Sequence, residues 1–258
     1  MITLPNEPLF NLVLIDEPQV RFKFGSFQRP IIGLTSGKPY SYGLIRSIPV
    51  YLIFSPTESE VVDSMSQKLI QGYEGNSGKY PPFSDIFGAT LTFEKKVTKG
   101  NKIEDYKTAM LEIADEVRQN KGVLWLFCED SILEKEYLNL KSIGIREKIR
   151  TQMSKISIAT KQPLEFTLLN LALGIYTKGG GLPWISEKPL IENGLFLGIG
   201  FSIDPASKKT FFATFEVFDK FGQHLSMSAA CINLNVRYTL RKGCSSHIIH
   251  LLSYSKLL

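Results

Sequence analysis

Apolar runs and amphipathic stretches alternate through the middle of this 258-residue chain. Residues 49–56 read Pro-Val-Tyr-Leu-Ile-Phe-Ser-Pro, a short apolar run between prolines that predicts a buried strand. Thr57 with Glu60 three positions on is a capping-box signature for a helix reaching about Tyr73, with Val61, Met65 and Leu69 on one face. Residues 75–87 are rich in Gly, Ser and Pro and predict a loop; residues 89–97 predict a strand. A helix follows over 103–120, its inner face carrying Ala109, Ile113, Ala114 and Val117. Residues 122–128 (Gly-Val-Leu-Trp-Leu-Phe-Cys) are the strongest central-strand signal. Glu129, Asp130 and Ser131 supply N-cap chemistry for a helix over 133–148. A short strand is predicted over 151–158, and Pro163 suits the first turn of a last helix ending at Tyr176 or Thr177.

Four strands alternating with four helices imply a mostly parallel sheet covered on both faces, an α/β domain of the Rossmann-like kind. Residues 1–48 read as an extended lead-in, with apolar pieces at 9–15 and 20–24 broken by Pro18, Pro30 and glycines. After Trp184 the pattern changes. Residues 195–203 and 210–218 predict two strands in succession, a third run starts near Gln223, and consecutive strands of this kind begin an antiparallel sheet. The expected divisions are therefore 1–48, 49–184 and 185–258, with polar, linker-like pieces over 185–193.

Composition adds limits. At 43% hydrophobic and 21% charged, the chain is ordinary for a globular protein, and no apolar run reaches the length of a membrane helix. The start MITLPNEPLF lacks the basic opening of a signal peptide. Cys128, Cys231 and Cys244 form no CxxC pair and suit reduced thiols, so a cytoplasmic location is expected. The net charge of +5 is carried by Lys220, Arg237, Arg241, Lys242 and Lys256, since no acid follows Asp219. The rest of the chain is balanced, so nucleic-acid binding would need a local basic pocket rather than a global field.

One group of residues suits such a pocket. Tyr137 and Lys141 stand at i and i+4 on one helix face, Gln152 opens the next predicted strand, and Lys178 closes the last helix. The helix carrying the first two starts at the C-terminal edge of the sheet, where unpaired amides and the helix dipole favour an anion. A phenol, an amide and two ammonium groups match a terminal phosphate carrying close to two negative charges. The plain alternative is a solvated Tyr–Lys pair and a lysine capping a helix C-terminus.

Several segments resemble the MID domain of prokaryotic Argonaute proteins followed by the start of their PIWI domain. They are Pro30-Ile-Ile-Gly-Leu to Gly37-Lys-Pro-Tyr, Pro81-Pro-Phe-Ser-Asp-Ile-Phe-Gly88, Tyr137-Leu-Asn-Leu-Lys141 with Gln152 and Lys178 at family-like spacing, and Asn170 to Trp184. The resemblance implies a Rossmann-like MID domain over 49–184 and the first strands of an RNase H-like PIWI domain over 185–258. It implies that Tyr137, Lys141, Gln152 and Lys178 bind the 5′ phosphate of a guide strand and that Asn170 contacts the guide backbone. It places residues 129–136 in the loop that senses the first guide base. It admits a Mg2+ ion at the guide 5′ phosphate, held in part by a C-terminal carboxylate. Implied partners are a short guide RNA or DNA, a complementary target strand, and a protein supplying the missing N-terminal and PAZ-like parts or an effector, in defence against foreign DNA.

The same resemblance implies no catalysis. The first metal-binding carboxylate of PIWI nucleases belongs where Leu197-Gly-Ile-Gly places Gly200, and no carboxylate follows Asp219. No catalytic or metal-ligating residue is therefore expected. Cys244, His247 and His250 are too few for a metal centre, Gly198-Ile-Gly200 lacks the third glycine of a dinucleotide loop, and Ser55-Pro-Thr-Glu after the first strand is not glycine-rich. The remaining alternative is an interaction scaffold with a silent pocket, completed by a partner at an open strand edge.

Overall fold

The structure, a computed structural model, describes residues 19–76, 78–189, 192–203 and 210–233. The apolar piece at 9–15, the Cys244–His250 motif, the terminal Leu258 and the tail beyond Asn233 lie outside the described residues. In chain order the elements are β1 (Val20–Phe22), β2 (Gly25–Phe27), α1 (Pro30–Ile32), β3 (Ser47–Phe54), α2 (Ser59–Gln71), β4 (Tyr73–Gly75), β5 (Gly78–Tyr80), α3 (Phe83–Phe87), β6 (Thr90–Val97), α4 (Ile103–Gln119), β7 (Val123–Cys128), α5 (Asp130–Arg146), β8 (Arg150–Lys155), α6 (Leu164–Lys178), β9 (Ile185–Ser186), β10 (Phe196–Ile203), β11 (Thr210–Phe218) and β12 (His224–Asn233). They fall into two compact units, Met1–Ile185 and Ser186–Leu258.

The first unit is built on a four-stranded sheet of order β6-β3-β7-β8, parallel throughout. Its central strands bury both faces, which is why β3 and β7 read as unbroken apolar runs. Side chains alternate between two cores. Val50, Leu52, Phe54, Val123, Trp125 and Phe127 pack against α2, α3 and α6. Tyr51, Ile53, Leu124, Leu126 and Cys128 pack against α4 and α5. The α/β class and the order of four strands and four helices stand as expected.

Several details differ from the sequence reading. The capping box before α2 uses Ser55 and Glu58, not Thr57 and Glu60, because Pro56 starts a 3-10 turn three residues earlier; the Ser55 N–H donates to Glu58 Oε2 at 2.7 Å. Val62, not Val61, is the fully buried valine of α2. In α4, Tyr106 and Met110 join the buried face while Ile113 is only partly covered. The loop expected over 75–87 contains strand β5 and helix α3, which ends where Gly88 turns left-handed at φ 67°. Strand β8 ends at Lys155 in a 3-10 turn rather than at residue 158. Pro163 is the N-cap of α6, one position before its first turn.

The lead-in packs within the first unit. Tyr40 and Ser41 donate backbone N–H groups to Pro183 and Leu182 carbonyls at 2.9 and 3.1 Å. Ser41 Oγ lies 2.8 Å from the buried Tyr176 hydroxyl and accepts the Leu182 N–H at 2.8 Å. These bonds fix the glycine-rich turn that leaves α6. The second unit is an antiparallel sheet, β10-β11-β12, with Leu197 opposite Val217 and Ile199 opposite Phe215. No helix among the described residues is long and apolar enough to cross a membrane.

Candidate anion-binding site

Strand β8 is an edge of the parallel sheet, so one of its sides is open to groups from α5 and α6. Its residues alternate: Thr151 faces the α5 side, while Gln152 follows Ser154, whose hydroxyl accepts the Trp125 indole N–H at 2.9 Å on the α6 side. Two lysines reach this edge from opposite faces. From α5, Lys141 Nζ donates to the Thr151 carbonyl at 2.9 Å and to Thr151 Oγ1 at 2.8 Å. From the end of α6, Lys178 Nζ donates to Gln152 Oε1 at 2.8 Å. The Tyr137 ring stands one turn before Lys141, with Nζ 6.0 Å from its centroid. Tyr137 is 43% exposed, so its phenol remains available to a ligand.

The electrostatics of the cluster are positive. Burial pulls the Lys141 ammonium below the ordinary lysine range, and repulsion from Lys178 adds to it. Burial does the same to Lys178. Among the described residues, no carboxylate pairs with either lysine. Two half-buried like charges without a counterion are unfavourable until an anion arrives.

The expected set Tyr137, Lys141, Gln152 and Lys178 is thus brought together. Its location differs from the expectation. The cluster lies beside the first half of β8, two and three turns along α5, and not at the N-terminus of α5. That terminus is occupied by other bonds: the Asp130 carboxylate accepts Ser157 N–H and Oγ at 3.2 and 2.6 Å, and the Glu129 carboxylate accepts Asn101 Nδ2 at 3.1 Å. No side chain caps the helix itself, contrary to the N-cap reading of residues 129–131. Asn170 is exposed on α6, two turns before Lys178 on the same side as Gly174. At Gly174 a Cβ would lie 3.0 Å from Gln152 Oε1, so glycine admits the amide to the α6 surface.

Sequence reasoning missed Thr151 and Arg150. Thr151 holds Lys141, and Arg150 Nη1 donates to the Lys178 carbonyl at 2.8 Å, closing the C-terminus of α6. Alternation along β8 could have placed Arg150 and Gln152 on one side, but nothing local marks Thr151. The donor set does not suit a divalent cation: two ammonium groups crowd the site, and the Gln152 oxygen is already engaged. Among the described residues, no three His, Cys, Asp or Glu side chains gather as metal ligands. A larger cavity of about 230 Å³ between β6 and α4 shares no residue with this cluster, and its Lys96 and Glu112 neutralise each other at 2.7 Å.

In the second unit, Gly200 pairs with Thr214, and a Cβ there would lie 2.7 Å from Thr214 Oγ1. A side chain at residue 200 would thus require Thr214 to move.

No protein-family model and no curated protein sequence matches the chain. Solved structures do. The Aquifex aeolicus Argonaute crystal structure superimposes with a TM-score of 0.63 at 15% identity, covering 92% of this chain and 33% of the other. Clostridium butyricum Argonaute bound to a guide DNA and a 19-mer target DNA gives 0.63 at 16% identity, covering 92% and 34%. Marinitoga piezophila Argonaute in complex with 5′ OH guide RNA gives 0.60 at 12% identity, covering 95% and 38%. The chain therefore has the fold of the Argonaute proteins over about a third of their length.

Proposed function

We propose that the chain anchors the 5′ phosphate of a guide nucleic-acid strand through Tyr137, Lys141, Gln152 and Lys178, without cutting nucleic acid itself. The observation that carries this reading is the pair of half-buried lysines, Lys141 and Lys178, converging on one strand edge with no carboxylate between them. A phosphate dianion answers that arrangement: it accepts from both ammonium groups, from the Gln152 amide and from the phenol. Asn170, along α6, would meet the next part of the backbone. The Argonaute structures that share the fold hold guide DNA with target DNA, or guide RNA with a 5′ hydroxyl. The fold thus accommodates guides of either nucleic acid, and a preference for a 5′ phosphate would have to come from the side chains.

Gly200 offers no side-chain ligand where the resemblance expects a carboxylate, which supports a non-cleaving role. Such a chain would act in prokaryotic defence against invading DNA by guided binding, with a partner protein supplying the effector. The cluster itself does not fit a Mg2+ ion.

The test compares a 5′-phosphorylated oligonucleotide with its 5′-hydroxyl form. Wild type is expected to prefer the phosphate by about tenfold or more, as for two charge-assisted contacts. Lys141→Ala is expected to abolish that preference. Equal affinities in the wild type would overturn the reading. A second reading, a protein scaffold with a silent pocket, draws on the exposed Leu197, Ile199 and Met227 of the second unit. It predicts a co-purifying protein and no short nucleic acid.

A further inference from the structure

A second basic site lies at the N-terminal end of β8. A cavity of about 100 Å³ is lined by Val117, Arg118, Lys121, Gly122, Lys148, Ile149 and Arg150. Its volume equals about three water molecules, the scale of one tetrahedral oxyanion. Four of the lining residues are cations and none is an acid. Arg118 is paired with Asp115, which leaves Lys121, Lys148 and Arg150 as the lining cations without a carboxylate partner among the described residues.

The two lysines stand on unusual backbone. Helices α4 and α5 end in the same turn. Gly122 N–H returns to the Val117 carbonyl and Lys121 N–H to that of Arg118; Ile149 N–H returns to Gly144 and Lys148 N–H to Ile145. This is the Schellman pattern, whose left-handed position normally holds glycine. Here it holds Lys121 at φ 52° and Lys148 at φ 56°. Local backbone energy disfavours both lysines. The one other non-glycine residue at positive φ among the described residues, Lys38, has a visible structural reason, since its Nζ donates to the Asp85 carbonyl at 2.7 Å. The side chains of Lys121 and Lys148 make no hydrogen bond or ion pair among the described residues, yet both residues line the same cavity.

We propose that this cavity is a second phosphate site, which engages a backbone phosphodiester of the nucleic-acid strand. It rests on the nucleic-acid reading of the neighbouring cluster but not on a 5′ phosphate being held there. Arg150 joins the two sites: it lines the cavity, and its guanidinium holds the Lys178 carbonyl. Arg150 and Gln152 stand two residues apart on one side of β8, a spacing of about 6.6 Å.

Glycine separates function from folding here, because it relieves the left-handed backbone while removing the charge. The Lys121→Gly/Lys148→Gly double variant is expected to melt no lower than wild type. It is expected to bind 5′-phosphorylated and 5′-hydroxyl oligonucleotides about five- to tenfold more weakly, by the same factor for both, with a salt slope smaller by about 0.7. Lys141→Gln should instead affect only the phosphorylated oligonucleotide. Unchanged oligonucleotide affinity in the double variant overturns the proposal, whatever Lys141→Gln does. With pyrophosphate as a second probe, loss of its binding while oligonucleotide affinity is unchanged also overturns the proposal and assigns the cavity to a free phosphate compound. Equal wild-type binding of the two oligonucleotides, with the double variant weaker on both, removes the 5′-phosphate reading and leaves this one standing.

Discussion

Lys141 and Lys178 set the chemistry of the site by being close, half-buried and unneutralised. Their depressed proton affinity has a readable consequence. Between the lowered folded values and the ordinary lysine value of about 10.5, the unfolded chain holds more protons than the folded one, so unliganded stability rises with pH there. Anion binding runs the other way, because it needs the ammonium forms. Affinity for a 5′-phosphorylated oligonucleotide is expected to fall as pH rises through the lowered lysine values. It should also fall below about pH 6, where a phosphate monoester loses its second charge. Titrating affinity between pH 5 and 10.5 checks this; a flat alkaline limb in the wild type would exclude the lysines as ligands. At this scale the sequence was informative where spacing is local: Tyr137 and Lys141 share a helix face by arithmetic alone. The contact between Gln152 and Lys178 spans 26 residues and became legible only through family resemblance. Thr151 stayed hidden because its role is a carbonyl and a hydroxyl offered to a distant lysine.

Among the elements, β3 and β7 were the most legible, since burial on both faces leaves no polar position to interrupt them. Strand β8 was harder: it is an edge, its side chains alternate between cores, and its end dissolves into a 3-10 turn where the pattern gives no stop. The β4–β5 hairpin and α3 escaped because three-residue strands and a five-residue helix are shorter than any period can announce. The turn after α6 depends on a tie that local patterns could not suggest, between Ser41 and residues 176 and 182. Ser41→Ala leaves the buried Tyr176 hydroxyl and the Leu182 N–H without that partner. It is expected to lower stability by about 1–3 kcal/mol, measured by denaturant unfolding at constant m-value. Because that turn follows Lys178 directly, the same variant should weaken binding of a 5′-phosphorylated oligonucleotide. A loss below about 0.5 kcal/mol would show that the tie is dispensable.

For the whole molecule, the change from alternating strands and helices to consecutive strands predicts a boundary near residue 185; the two compact units meet between Ile185 and Ser186. The parallel order β6-β3-β7-β8 was not readable, because strand order depends on which faces the helices cover rather than on any one segment. Glu187 and Glu192 lie just past the division, the first half-buried and the second exposed. A glutamyl endopeptidase is expected to cut there first, leaving a fragment of the first unit detectable by mass spectrometry. Initial cleavage inside α4 or α5 would contradict the two-unit division. The lysine bonds at the β8 edge have one more consequence. Lys141 and Lys178 are already immobilised by Thr151 and Gln152 before any ligand is present. A free lysine side chain gives up about 1.5–2 kcal/mol of rotamer freedom when it is fixed. Folding has absorbed that loss, so the two lysines are preorganised: were the proposed 5′ phosphate to bind, even on a mononucleotide, it would exchange partners with side chains already in place and need little further ordering.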